Sequence, residues 1–271
     1  MQTLEFLQQP LIRPITSLSI LALLCLLEIA YPRRQLQFSK KRRWISNLSL
    51  SVFNVLALKL LIPISLTAIA VKVQDSGLGL LNILKMSYLI QTGFSLILLD
   101  LAIYFQHVLT HKISFLWKFH QVHHADVDLD VTSGNRFHPI EIIISFFYKA
   151  LLVLIFGVTP ISIIIFEIML NSLAMFNHAN LNIPISLDKI LRILIVTPDM
   201  HRVHHSVSSD EHNKNFGFNL SCWDYLFRTY QSAPLLGHKE KVIGLDFFRD
   251  DKYIHPFELL KMPFLKRNDE T

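Results

Sequence analysis

Residues 140–176 read IEIIISFFYKALLVLIFGVTPISIIIFEIMLNSLAMF, and their interpretation decides the fold. A helix crosses a hydrocarbon core in roughly 20 apolar residues, so this run is too long for a single passage. Gly157, Val158, Thr159 and Pro160 interrupt it with turn-forming chemistry, which predicts a helical hairpin of two short or tilted spans. A hairpin leaves and re-enters on one side. The chain before residue 140 and the chain after residue 176 are therefore expected in the same aqueous compartment.

Three more apolar runs lie upstream, at about residues 11–31, 45–73 and 80–105. Together with the hairpin they predict an all-α, multi-pass membrane bundle of five crossings, or of four plus a re-entrant hairpin. Composition agrees: of 271 residues, 51% are hydrophobic and 17% charged, and the mean hydropathy is +0.38, which excludes a water-soluble globule and a disordered chain. With 8 Gly and 11 Pro the chain is no collagen or linker, and two cysteines, Cys25 and Cys222, make no disulfide scaffold.

Arg33, Arg34, Lys40, Lys41, Arg42 and Arg43 form a short basic loop between the first two runs, which the positive-inside rule puts in the cytosol. Arg13 ahead of the first run suggests a secretory signal, but no small-residue cleavage pattern follows. The expected location is the bacterial inner membrane, or the endoplasmic reticulum in a eukaryote. Counting crossings from the basic loop brings residues 107–138 and 178–212 to the cytosolic side together. Three regions follow: residues 1–99, an N-terminal transmembrane region; residues 100–230, which carry the histidines and the hairpin at 140–176; and residues 231–271, a polar and aromatic cytosolic tail.

Histidine is the unusual residue, with 13 copies, most of them clustered. After the third run the chain reads D-L-A-I-Y-F-Q-H-V-L-T-H, which sets His107 and His111 four residues apart on one helical face below Asp100 and Tyr104. H-Q-V-H-H follows with His120, His123 and His124, and H-R-V-H-H repeats the pattern at His201, His204 and His205. At this histidine content random placement yields about 0.03 copies of H-x-x-H-H per chain, so two copies are no accident. Neutral imidazoles packed together lack partners and protonated ones repel, so a shared cation is the economical explanation. Eight exceed what one ion holds; two ions with open positions fit. Imidazole alone does not choose among zinc, copper, iron and nickel.

D-x-x-x-Y-x-x-H-x-x-x-H, H-x-x-H-H and the final P-D-M-H-R-V-H-H resemble, over about residues 100–230, the fatty acid hydroxylase/sterol desaturase superfamily of membrane di-iron enzymes, especially its bacterial-type sterol desaturase members. The resemblance implies two non-haem irons that use O2 to hydroxylate, oxidise or desaturate a C–H bond of a lipid, whether sterol-like, fatty acyl, ether lipid or carotenoid. It makes His107, His111, His120, His123, His124, His201, His204 and His205 the expected ligands and His178 a ninth. His138 is a further candidate, although its place before Pro139 at a predicted helix start suits capping as well. His212 is expected at the rim, and His238 and His255 on the ordinary surface.

A ligating imidazole needs an acceptor for its other N–H, and Asp100, Glu141, Asp199 and Asp126 are the carboxylates placed to serve, Asp100 being the sharpest case because it stands at the end of an apolar span. Asp126, Asp128 and Asp130 together read as a solvated loop; Asn180, Asn215 and Trp223 are expected around the centre. No G-x-G-x-x-G or C-x-x-C-H occurs, so electrons come from outside, and the resemblance implies a ferredoxin, cytochrome b5 or reductase. The basic loop suits anionic lipid or an acidic carrier. A membrane zinc hydrolase is the rival enzyme, disfavoured by the lack of H-E-x-x-H, and a metal transporter or sensor is the non-enzymatic rival, disfavoured because the histidines follow the spans.

Overall fold

The computed structural model describes residues 11–265; the first ten residues of the predicted N-terminal region and the last six of the predicted tail lie outside the described residues. The long helices α1 (Ile12–Ala30) and α2 (Lys40–Leu61) are followed by the short α3 (Leu66–Asp75) and α4 (Leu80–Ile83), the long α5 (Tyr88–Lys112), α6 (Ser114–His124), a 3-10 turn at Val131–Asn135, and the hairpin α7 (Pro139–Phe156) and α8 (Pro160–His178). The rest is a cap of short elements: α9 (Ile185–Leu191), α10 (Pro198–His204), α11 (Ser209–His212), α12 (Cys222–Leu226), α13 (Gly237–Glu240) and α14 (Pro256–Lys261). Isolated bridges at Pro32–Leu181, Ile195–Leu220 and Ser206–Ile243 tie the loops of this cap. Among the described residues α1, α2, α5, α7 and α8 are long and apolar enough to cross a membrane.

The hairpin forms as its turn chemistry dictates. Gly157 ends α7 in the left-handed region at φ +66°, and Thr159 starts α8 by accepting the Ser162 amide, with Pro160 at the first helical position where its missing N–H costs nothing. Gly79 and Gly157 meet backbone to backbone; a Cβ on Gly79 would stand 2.3 Å from the Gly157 nitrogen, so any side chain there would force the tip apart.

The run at 45–73 is not one helix. Pro63 bars its predecessor Ile62 from helical geometry, α2 stops at Leu61, and Ser65 caps a new helix by accepting the Ala68 amide at 3.1 Å. Leu66, Ala70 and Val73 of this α3 pack against Phe146, Val153, Ile163 and Phe166 of the hairpin. The predicted third span also shifts: α5 begins at Tyr88 and continues to Lys112, so His107 and His111 lie on the spanning helix itself.

Three hydrogen bonds sort the ends of the bundle. Gln91 Nε2 donates to the Gly157 carbonyl at 3.0 Å, so the start of α5 and the hairpin tip share one end. At the other end, Arg33 N donates to Asn180 O and Asn182 N to Tyr31 O, each at 2.9 Å, which binds the basic loop to the chain leaving α8. Both histidine segments belong to this second end.

The basic loop is largely consumed by ion pairs within the molecule. Arg43 is completely buried, forks onto the Asp126 carboxylate at 2.8 and 3.2 Å, and pairs with Asp130. Arg33 pairs with Asp199 at 2.9 Å, Arg42 with Asp251 at 2.5 Å and Lys40 with Glu28 at 3.4 Å. The solvated loop expected at Asp126, Asp128 and Asp130 is likewise corrected: all three are buried, because each finds donors. Asp128 takes the Gln37 and Phe38 amides at 2.9 Å, and Asp130 caps the 3-10 turn through the Thr132 amide at 2.8 Å. Burial raises the Asp126 carboxyl, but Arg43 and Arg136 outweigh it and hold the group below the usual carboxylate range.

Candidate metal centre

Four elements deliver the histidines. The last turns of α5 carry His107 and His111, α6 carries His120, His123 and His124, α8 ends on His178, and α10 carries His201 and His204 with His205 at its C-terminus. These nine side chains form two groups. In one, His107, His111, His120, His124 and His204 each bring a ring nitrogen within 4.8 Å of all the others; in the second, His123, His178, His201 and His205 do the same. The groups abut, the His124 and His205 rings stacking at 4.4 Å and 15°. All are buried except His111, which is half-buried.

Their outer nitrogens are held by acceptors. His107 Nδ1 donates to Phe216 O at 2.7 Å, His120 Nδ1 to Glu141 Oε1 at 2.7 Å, His178 Nδ1 to Ala174 O at 2.7 Å and His204 Nδ1 to Lys214 O at 2.8 Å. With the proton on Nδ1, each Nε2 keeps its lone pair, and these lone pairs face one another. Nε2 of His107, His120 and His204 has no protein partner although fully buried, nor has either nitrogen of His111 or His124. Such unpaired acceptors cost several kcal/mol together at about 1–3 kcal/mol each, and a cation removes that cost. In the second group Nε2 of His178 lies 3.0 Å from that of His123 and 3.1 Å from that of His201, while His205 and His201 stand 3.2 Å apart. Nitrogens bound at about 2.0–2.1 Å to one ion stand roughly 3 Å from each other, so the donor set fits a metal in both groups.

Burial pushes His123, His124, His201, His204 and His205 well below the usual imidazole range, and the charge of neighbouring imidazoles pushes the same way. They stay neutral at neutral pH, the state that binds metal.

His138 does not join either group. It caps α7, its Nδ1 accepting the Ile140 amide at 3.2 Å while Nε2 donates to Leu260 O at 3.3 Å, so both nitrogens are engaged. Among the candidate carboxylates only Glu141 touches a histidine of the groups. Asp100 instead accepts Trp223 Nε1 at 2.7 Å and the Leu220 amide at 3.3 Å, fastening α12 to α5. Asp199 pairs with Arg202 and Arg33 and holds α10 against the basic loop. Asn180 exchanges hydrogen bonds with the Arg34 backbone, and Asn215 Nδ2 donates to Met200 O at 2.8 Å. His212 sits at the rim, its ring 5.2 Å from that of His111 and 5.1 Å from Trp117. His255 is exposed, whereas His238 is half-buried, 3.7 Å from Asp199.

Sequence reasoning missed Asp224. It is completely buried, accepts the Phe216 and Gly217 amides at 2.8 Å, and so fixes the carbonyl that orients His107. Burial pushes its carboxyl up to about 6. Glu28, which accepts the Val131 and Asn180 amides, was also missed; a carboxylate inside an apolar run was the available signal.

A cavity of about 270 Å³ reaches His107, His120 and Glu141 from between α2, α5, α7 and α8. Val55 and Asn171, both exposed, mark its open side toward the outer face of the bundle.

A family-wide profile of fatty acid hydroxylase matches residues 92–229, half of the chain and the stretch that supplies every histidine of both groups. The chain belongs to the fatty acid hydroxylase family. It is 28% identical over 145 residues to an ornithine lipid hydroxylase of Rhizobium tropici, covering 53% of this chain and 43% of that one. It is 29% identical to a human alkylglycerol monooxygenase, covering 61% and 34%, and 28% identical to a mouse cholesterol 25-hydroxylase, covering 52% and 46%. The matches thus span less than half the length of these relatives. No solved structure matches. With its five apolar helices this member of the family is an integral membrane protein.

Proposed function

We propose that the protein is a membrane oxidoreductase that uses two irons, O2 and externally supplied electrons to hydroxylate a C–H bond of a bilayer lipid. The observation that carries this reading is the convergence of nine imidazoles in two adjoining groups, one of which meets, through His107 and His120, a cavity that opens sideways from the bundle. His107, His111, His120, His124 and His204 would hold one ion, and His123, His178, His201 and His205 the other. Nitrogen ligation alone does not select iron. Relatives named as hydroxylases and a monooxygenase support a redox metal, and hydroxylation over desaturation. Iron, when bound, would supply activation of O2 and an oxidant strong enough for an alkyl C–H bond.

The chain's own residues do the rest. Glu141 and the carbonyls of Phe216, Ala174 and Lys214 hold four imidazoles in the Nδ1–H tautomer and so aim their lone pairs inward. Ile103, Phe137, Leu170 and Phe218 line the cavity with apolar surface, which excludes water and orients an alkyl segment toward His107 and His120. The unit at residues 100–230 would thus be the chemical one, residues 1–99 its N-terminal membrane region, and residues 231–271 a tail on the cap.

The basic loop shares the histidine end, which supports a cytosolic centre. A recess of about 620 Å³ opens beside the half-buried His111, with Lys112, Trp117 and Lys118 on its walls. It is the route assigned here to the electron carrier, a ferredoxin, cytochrome b5 or reductase. The test is lipid extraction from cells with and without the gene product, grown under isotopically heavy O2. One heavy oxygen in a lipid found only with the protein supports the reading; a hydrolysed lipid in its place, formed without O2, contradicts it.

A further inference from the structure

The cavity has a second end, and it is polar. Glu141, Ser145 and Lys149 lie at four-residue intervals on one face of α7 and all line it. Glu141 touches His120, so Lys149 stands about 12 Å deeper along the helix axis, near the middle of the span. Asn171 of α8 lies at the rim of the same cavity. A pocket for plain hydrocarbon needs neither an ammonium nor an amide.

An ammonium at this depth is costly without a counter-charge. Glu167 is the carboxylate that acts on Lys149 electrostatically, but it is taken by Arg13, and among the described residues no carboxylate forms an ion pair with Lys149. The ammonium therefore faces the cavity with no ion-pair partner among the described residues. We propose that Lys149 is a specificity-determining residue that receives the acidic end of an amphiphilic substrate, a lipid carboxylate, so that the chain is held with its polar end deep and a distal carbon at the histidines. This deepens the lipid-oxidation reading and rests on it: the cavity sets the reacting carbon by its separation from the acid group.

The experiment uses the full chain in phosphatidylcholine nanodiscs, without O2 or reductant, and two photoreactive dodecanoic acids, one with a diazirine beside the carboxyl and one with it at the last carbon. With the label assigned to single residues by fragmentation, the carboxyl-proximal probe is expected beside Lys149 or Asn171, and the terminal probe beside His107, His120 or Glu141. Lys149→Met is expected to cut labelling by sub-saturating acid at least about tenfold, one unit charge being worth that or more in a site of low dielectric. Lys149→Arg should retain it, and the methyl ester should label wild type and Lys149→Met alike. The reversed map in the wild-type protein, or equal labelling of wild type and Lys149→Met by the acid, overturns the proposal. Because no turnover is involved, this outcome is separate from the isotope test, whose failure would instead overturn the oxygenase reading.

Discussion

His120 Nδ1 and Glu141 Oε1 lie 2.7 Å apart, joining the second histidine motif to the first turn of the membrane hairpin. The contact fixes the His120 tautomer and leaves its buried Nε2 without a protein partner, facing the rest of its group. Glu141→Ala is therefore expected to lower metal affinity by about 10–100-fold while leaving the helical content unchanged. Competitive chelator titration measures this; unchanged affinity would show that Glu141 does not orient a ligand.

His138 gives the contrasting prediction. Because it caps α7 with both nitrogens engaged, His138→Ala should keep full metal content and lose about 1 kcal/mol of stability, as for other N-cap losses. Loss of metal in this variant would return His138 to the ligand set.

Arg43 and Asp126 form a fully buried pair that ties α2 to the loop between the histidine motifs. Removing one partner strands the other in a dry site, so Arg43→Ala should destabilise the protein by about 3–5 kcal/mol. Unfolding in detergent reads this directly, and a change near zero would contradict the burial.

Chelator-treated protein should lose stability as pH falls below about 6.5. His123, His124, His201, His204 and His205 are depressed in the folded state, so their contribution is present above the unfolded imidazole value and is lost as the unfolded chain takes up protons that the folded chain refuses. Each contributes about 1.4 kcal/mol per pH unit over that range. Asp224, raised to about 6, acts in the opposite sense, since its contribution is lost as pH rises through that value, and Asp128, which burial also raises, acts likewise, but these two carboxyls stand against five imidazoles. Melting curves between neutral pH and the acid range test the sign; a flat or rising profile on acidification would contradict it.

Much of this was legible in the sequence because the decisive signals are local. The G-V-T-P turn, the apolar runs and the spacing of His107, His111, His120, His123, His124, His201, His204 and His205 follow from helix geometry and bilayer thickness. The division of nine histidines into five and four was not legible, since it depends on how α5, α6, α8 and α10 cross. Asp126, Asp128 and Asp130 misled because alternating carboxylates read as solvated until Arg43, more than 80 residues away, is seen among them. Asp100 and Asp199 misled for a related reason: a carboxylate near the site has partners on distant elements, Trp223 and Arg33, that no spacing rule foretells.

Metal counting tests the central claim most directly. Anaerobically purified full-length protein, reconstituted with ferrous iron, should bind two irons per chain, and Mössbauer spectra should show them in two environments. His178→Ala, from the group of four, should fall to about one iron while keeping the signature of the group of five, since it removes one of only four donors. A single iron in the wild-type protein, or two irons undisturbed by His178→Ala, would contradict a dinuclear centre built from these two groups.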